Sequence, residues 1–187
     1  LSHGRSAQVI RSCAKKKPRI SFVHAASGVC IPYPETPESV EAARREMFDI
    51  SYPTADFSTG IPGGIRQTWW LDPVYRGCYP EDGLHAFRLF LPEISPDDMA
   101  TIHQPLDFFA VNIYRGRHIT RGDDGRPCEL PVSAGHPLVA ADAGSSWPLT
   151  PESLYWCPKF YWERYRLPVV ITENGMPATD RVSLDGR

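Results

Sequence analysis

The run Leu167-Pro-Val-Val-Ile-Thr-Glu-Asn-Gly175 constrains the fold more than any other stretch of the chain. Val169, Val170 and Ile171 are consecutive, apolar and β-branched, which is how a parallel strand covered on both faces reads. Asn174-Gly175 then stops it. Where strands alternate with helices in a closed barrel, polar groups at the carboxyl ends of the strands face the active-site side. Glu173 stands at such an end. Spacing alone allows two readings of it: an acid presented for chemistry, or a surface acid opening an Asn-Gly turn.

The rest of the chain supplies units of the same kind. Residues 1 to 14 read as the end of a helix with Ala7, Val9, Ile10 and Ala14 as its apolar face, followed by the basic run Lys15-Lys-Lys-Pro-Arg19 at its C-terminus. A first strand is expected over 19 to 25 and a Pro-rich loop over 32 to 37. Thr36 caps a helix from Pro37 to about Phe48, with Glu38 and Glu41 early and Arg44-Arg45 late, as the helix dipole favours. Residues 51 to 67 read as loop. Trp69 and Trp70 open a further element, Pro80 starts a helix reaching Phe90, and Ser95 caps a short one to about His103. A second buried strand is expected over 107 to 114.

Gly122-Asp-Asp-Gly125 is a hairpin signal between Ile119-Thr120 and Pro127, inside a long excursion from Arg115 to Ser146. Thr150-Pro-Glu-Ser then caps a helix that buries Leu154, Tyr155, Phe160 and Tyr161 and is bent or interrupted at Pro158. The order strand, helix, strand, helix, strand gives an α/β class with about three core parallel strands.

Charge and cysteine usage exclude several functions. A net charge of −2 argues against nucleic acid as a partner, and no run approaches 18 consecutive apolar residues, so no membrane span is expected. The cysteines, at 13, 30, 78, 128 and 157, are odd in number and contain no Cys-x-x-Cys pair, which fits neither a disulfide framework nor a zinc site. The six histidines show no i, i+4 pairing. No metal and no cofactor are expected, and a reducing, cytoplasmic setting is the simplest inference. Neither a phosphate-binding Gly-x-x-x-x-Gly-Lys loop nor a Gly-x-Ser-x-Gly elbow is present.

Ile171-Thr-Glu-Asn-Gly175 resembles the nucleophile motif of glycoside hydrolase family 1, the β-glucosidase family. Trp70-Leu-Asp-Pro73 with Gly77-Cys-Tyr-Pro80, Gln104-Pro-Leu-Asp-Phe108 and Val111-Asn-Ile-Tyr114 resemble further segments of that family in the same order, from about residue 65 onward. The resemblance implies a (β/α)₈ barrel and a retaining β-glycosidase in which Glu173 attacks the anomeric carbon. It also implies that Tyr114 hydrogen-bonds the nucleophile, that Asn112 helps position the catalytic pair, and that Trp147 forms an aromatic wall for the aglycone. Trp69, Trp70, Trp156 and Trp162 are expected to be packing residues. Asp72, before Pro73, and Asp180 read as turn acids, and Asp107 opens a strand.

A complete barrel ordinarily takes ~250 residues, and the family's Asn-Glu-Pro acid/base motif is absent from the sequence. Residues 1 to 187 are therefore expected to be part of one catalytic domain, with N-terminal strands and the last strand elsewhere. The remainder of the barrel would be a required partner, and a β-glucoside or oligosaccharide the small-molecule substrate. The isolated fragment is expected to fold poorly and to be inactive. Alternatives are a non-catalytic carbohydrate-binding or scaffold remnant of the barrel, and a thioglucosidase-like member.

Overall fold

The computed structural model describes residues 1–26, 28–50, 66–131 and 148–175. Its main sheet has three parallel strands, β1 (Val23–Ala25), β3 (Phe109–Asn112) and β6 (Val169–Glu173), in the order β1-β3-β6. All three lie where the sequence places strands, with shorter bounds. A second sheet contains β2 (Cys30–Pro32), β4 (Arg117–Arg121) and β5 (Pro127–Glu129), with β2 parallel and β5 antiparallel to β4. It continues the first. Ala26 donates its N–H to Asn112, and Arg117 donates to Val29, so the β1–β2 and β3–β4 segments run side by side.

Helices cover this ribbon for local reasons that the sequence carries. In α2 (Pro37–Phe48) the Thr36 hydroxyl accepts from the Ser39 N–H at 3.2 Å, Pro37 fits the first turn and Glu38 meets the positive end of the dipole. Its buried face, Ala42, Ala43, Met47 and Phe48, lies against β2 and β4. In α5 (Pro96–Ile102) Ser95 and Asp98 form a capping box. α1 (Ser2–Cys13) packs on α5, and a Cβ at Gly4 would come within 1.7 Å of the Thr101 carbonyl oxygen. That close approach requires glycine. It also explains why Gly4 and Ala7 are buried while Val9 and Ile10, expected on the apolar face, are exposed.

The remaining helices are α3 (Thr68–Arg76), α4 (Glu81–Phe87) and α6 (Ser153–Tyr165). Gly77 ends α3 at φ 71, a left-handed conformation natural to glycine. Of the bend or interruption expected at Pro158, the interruption does not occur: α6 continues through it. It buries Phe160 and Tyr161, whereas Leu154 and Tyr155 are exposed, contrary to expectation. Trp70 and Trp162 likewise lie on the surface; the Arg166 guanidinium sits 4.6 Å from the Trp162 ring centre. Trp69 and Trp156 do pack, against Tyr79 and Phe87 and against Phe160. Thr150 does not cap α6, because the chain makes one turn over 150–152 before the helix begins.

Between sheet and helices lies an aromatic stack. Phe109 of β3 stacks on Tyr161 and Tyr165 of α6, with ring centres 4.4 and 5.3 Å away, and meets Tyr75 of α3 at 4.9 Å. Asp72 stands beside it and corrects the sequence reading: it is a fully buried member of α3 and not a turn residue. Its carboxylate accepts from Arg164 Nε at 3.0 Å and from Nη2, from the Tyr165 hydroxyl at 2.9 Å and from Arg76 at 3.2 Å. A carboxylate removed from water needs such donors. Burial, then the negative charge of Asp72, pushes the Tyr165 hydroxyl well above its ordinary pKa, so it stays a donor.

β6 corrects a second expectation. Its sequence reads as covered on both faces, yet Val170 and Ile171 are 41% and 40% exposed. The reason is position. β6 pairs only with β3 among the described residues, and within its own span only Val169 packs against the core.

Candidate active site at the ends of two parallel strands

The carboxyl ends of β3 and β6 bring together most of the residues that the sequence singles out. Their pairing is irregular there: Val111 faces Ile171, but the next residue, Asn112, faces Glu173. One residue of β6, Thr172, is thus extra, which is the signature of a bulge. Bulges re-aim side chains, and this one brings Glu173 level with Asn112. Thr172 turns its hydroxyl onto the Asn112 amide oxygen at 2.6 Å.

Backbone and side-chain bonds then clamp the two ends. Ile113 donates its N–H to the Glu173 carbonyl at 2.9 Å, and the Asn174 amide donates to the Ile113 carbonyl at 2.8 Å. Gly175 follows at φ 147, a conformation that side chains disfavour. Beyond the buried Ile113, Tyr114 reaches across and its hydroxyl donates to Glu173 Oε2. That bond, then desolvation and the carboxylate's charge, raises the Tyr114 pKa above its ordinary value. The phenol is therefore a neutral donor at physiological pH.

The arrangement holds a carboxylate in a fixed position on an exposed rim. Tyr114 is 39% exposed and Glu173 is also exposed. Asn112 is engaged with Thr172, one residue short of the acid, so its amide acts on the strand that carries Glu173. Trp147 lies outside the described residues, as does Asp180. The segment that follows Trp147 is anchored here, because the Thr150 hydroxyl accepts from the Gly116 N–H at 2.8 Å. Sequence reasoning misses Thr172 and Thr150. The bulge shows only once the register is counted, and Thr150 carries the signature of a helix cap although it accepts from the β3–β4 connection 34 residues away.

Among the described residues no group of three or more His, Cys, Asp or Glu side chains could hold a metal ion. No described helix is long and apolar enough to cross a membrane. Cys30 and Cys157 are buried, and burial pushes the Cys30 thiol up to about 12. Neither approaches the rim as a nucleophile.

Comparison with known proteins bears on the family and the fold. Residues 1–185 match the family model of glycosyl hydrolase family 1. The chain is 34% identical over 188 residues to β-glucosidase A of Thermotoga maritima, and 32% identical over the same length to a 1,4-β-D-glucan glucohydrolase of Thermotoga neapolitana. Each alignment takes in 100% of this chain but only 37% and 39% of those relatives. The structure superposes on the Thermotoga maritima family 1 β-glucosidase in complex with isofagomine lactam with a TM-score of 0.66, at 30% identity over 37% of that chain. Its parallel strands and helices are part of that family's (β/α)₈ barrel. On sequence and fold together, this chain belongs to glycosyl hydrolase family 1.

Proposed function

We propose that this chain supplies the nucleophile half of a retaining β-glycosidase, acting on β-glucosides. The observation that carries the proposal is the Tyr114 hydroxyl donating to the Glu173 carboxylate at the carboxyl ends of adjacent parallel strands. In this reading Glu173 attacks the anomeric carbon, the C–O bond to the leaving group breaks, and a glycosyl ester forms on the carboxylate. Water then displaces the ester and regenerates Glu173. Tyr114 orients the attacking oxygen, and Asn112, through Thr172, holds the strand end in register. Trp147 offers a face to the aglycone.

Retention requires a second carboxyl group about 5 Å from the first, which protonates the leaving oxygen and later activates water. We assign that role to a residue outside this chain, on further strands of the same barrel. The exposed edge of β6 supports this, since Val170 and Ile171 are apolar residues in want of cover. The names of the relatives support a β-glucoside as substrate.

The test uses the full-length polypeptide that carries this chain and an aryl β-glucoside. Glu173→Gly should lower turnover by at least ~10³-fold, the scale expected on removing a covalent nucleophile. A variant that keeps wild-type turnover removes Glu173 from the mechanism.

A further inference from the structure

At the opposite end of the main sheet, before β1 and β3 begin, lies a cleft that the glycosidase reading does not use. Its volume is about 440 Å³, within the range of small-ligand sites, and it is lined by Arg11, Lys15, Lys16, Lys17 and Pro18 on one side and Pro105 and Asp107 on the other. From Asp107 to Tyr114 the chain advances seven residues, roughly 20 Å at strand spacing. The cleft is thus remote from Glu173.

Helix termination does not explain these cations. α1 ends at Cys13, and only Arg11 lies in its last turn; Lys15, Lys16 and Lys17 follow the cap residue Ala14 and are exposed. With Arg19 they make five positive charges in nine residues. None of the five forms an ion pair among the described residues, whereas Arg44, Arg66, Arg76, Arg117 and Arg164 all do. Arg11 adds an independent observation. One arm of its guanidinium, Nη2, donates to the Pro105 carbonyl, while Nη1 is buried and has no hydrogen-bond partner among the described residues. An unsatisfied buried donor on a cation is costly unless an acceptor fills the place. The one carboxylate in the lining, Asp107, already accepts the Ile20 N–H at 2.7 Å.

We propose that this cleft binds a small multivalent phosphate-type oxyanion, with the Arg11 guanidinium and the three lysines as the charge that holds it. Like charges held together without partners repel one another, and an anion of two or more charges relieves that repulsion. Lysines on flexible stems can close on such a ligand from the open side. The same chemistry is offered by a soluble phosphorylated compound and by an anionic lipid headgroup.

Calorimetric titration of the full-length protein with inorganic tripolyphosphate at low salt tests the site. Saturable binding is expected, weakening as salt is added. The triple variant K15Q/K16Q/K17Q should weaken it by about tenfold or more, as should Arg11→Gln. R88Q/R121Q/R126Q, which removes the same charge elsewhere, should leave it unchanged. Absence of saturable binding, or equal weakening in both triple variants, overturns the proposal. Sedimentation with phosphatidylcholine vesicles containing phosphatidylglycerol separates the sources. Capture that tripolyphosphate displaces makes the ligand a headgroup, and no capture alongside tripolyphosphate binding makes it soluble; both uphold the cleft. Capture that survives K15Q/K16Q/K17Q contradicts it.

Discussion

Asp72 and Glu173 are both carboxylates that accept a hydrogen bond from a tyrosine hydroxyl, and their surroundings are opposite. Asp72 is fully buried, receives Tyr165 and is also ringed by Arg164 and Arg76. Glu173 is exposed, receives Tyr114 and has no ion pair among the described residues. The first has its charge compensated by donors that fill its oxygens, which suits a tie between α3 and α6. The second is fixed in place yet still open to a reactant. Whether an acid serves structure or chemistry is decided by its other neighbours.

The strongest way to break this comparison is to remove the buried acid. Asp72→Ala should leave the Arg164 cation without its partner and cost about 3–5 kcal/mol of stability, the range found on breaking a buried ion pair. Denaturant titration of the full-length protein measures this. By contrast, Glu173→Gln keeps the side chain's size and an acceptor for the Tyr114 hydroxyl, leaves no buried cation unpaired, and should change stability by no more than about 1 kcal/mol. Equal losses would erase the distinction.

A second prediction uses His24, also buried in the aromatic layer, with its ring 6.0 Å from that of Tyr161 and its Nε2 without a hydrogen-bond partner among the described residues. Burial lowers its pKa to about 4. The unfolded chain, titrating near 6.5, binds the proton first, so stability is complete above about pH 6.5 and is lost as pH falls toward 4. The loss should reach about 3 kcal/mol below pH 4. His24→Leu should flatten that part of the stability–pH curve; an unchanged slope would exclude His24 as its source.

The smallest effect sharpens the exposed side. Tyr114→Phe should reduce kcat for an aryl β-glucoside by about 10²-fold, as for loss of one oriented donor, with the melting temperature unaltered. A melting temperature that falls in step with activity would make Tyr114 a structural residue.

Much of this could be read before any coordinates. Local signals suffice where a few adjacent residues decide the conformation: Thr36, Pro37 and Glu38 start α2 at the expected place, and Gly122 to Gly125 turns β4 into β5. The tyrosine–glutamate pair was legible through the family resemblance, since both residues end buried-strand patterns. What escaped depends on distant partners. β2, Cys-Ile-Pro, has no alternation and a proline, and exists because β4 pairs with it. Asp72 read as a turn acid because its donors at 164 and 165 lie over 90 residues away. The exposure of Val170 and Ile171 depends on which neighbours cover β6, information its own residues do not hold.

The most direct test is to trap the intermediate. Full-length protein inactivated with an activated 2-deoxy-2-fluoro-β-glucoside should carry one glycosyl group per chain, and peptide mapping by mass spectrometry should place it on Glu173. A label on any other carboxylate, or inactivation without a covalent adduct, would contradict the account.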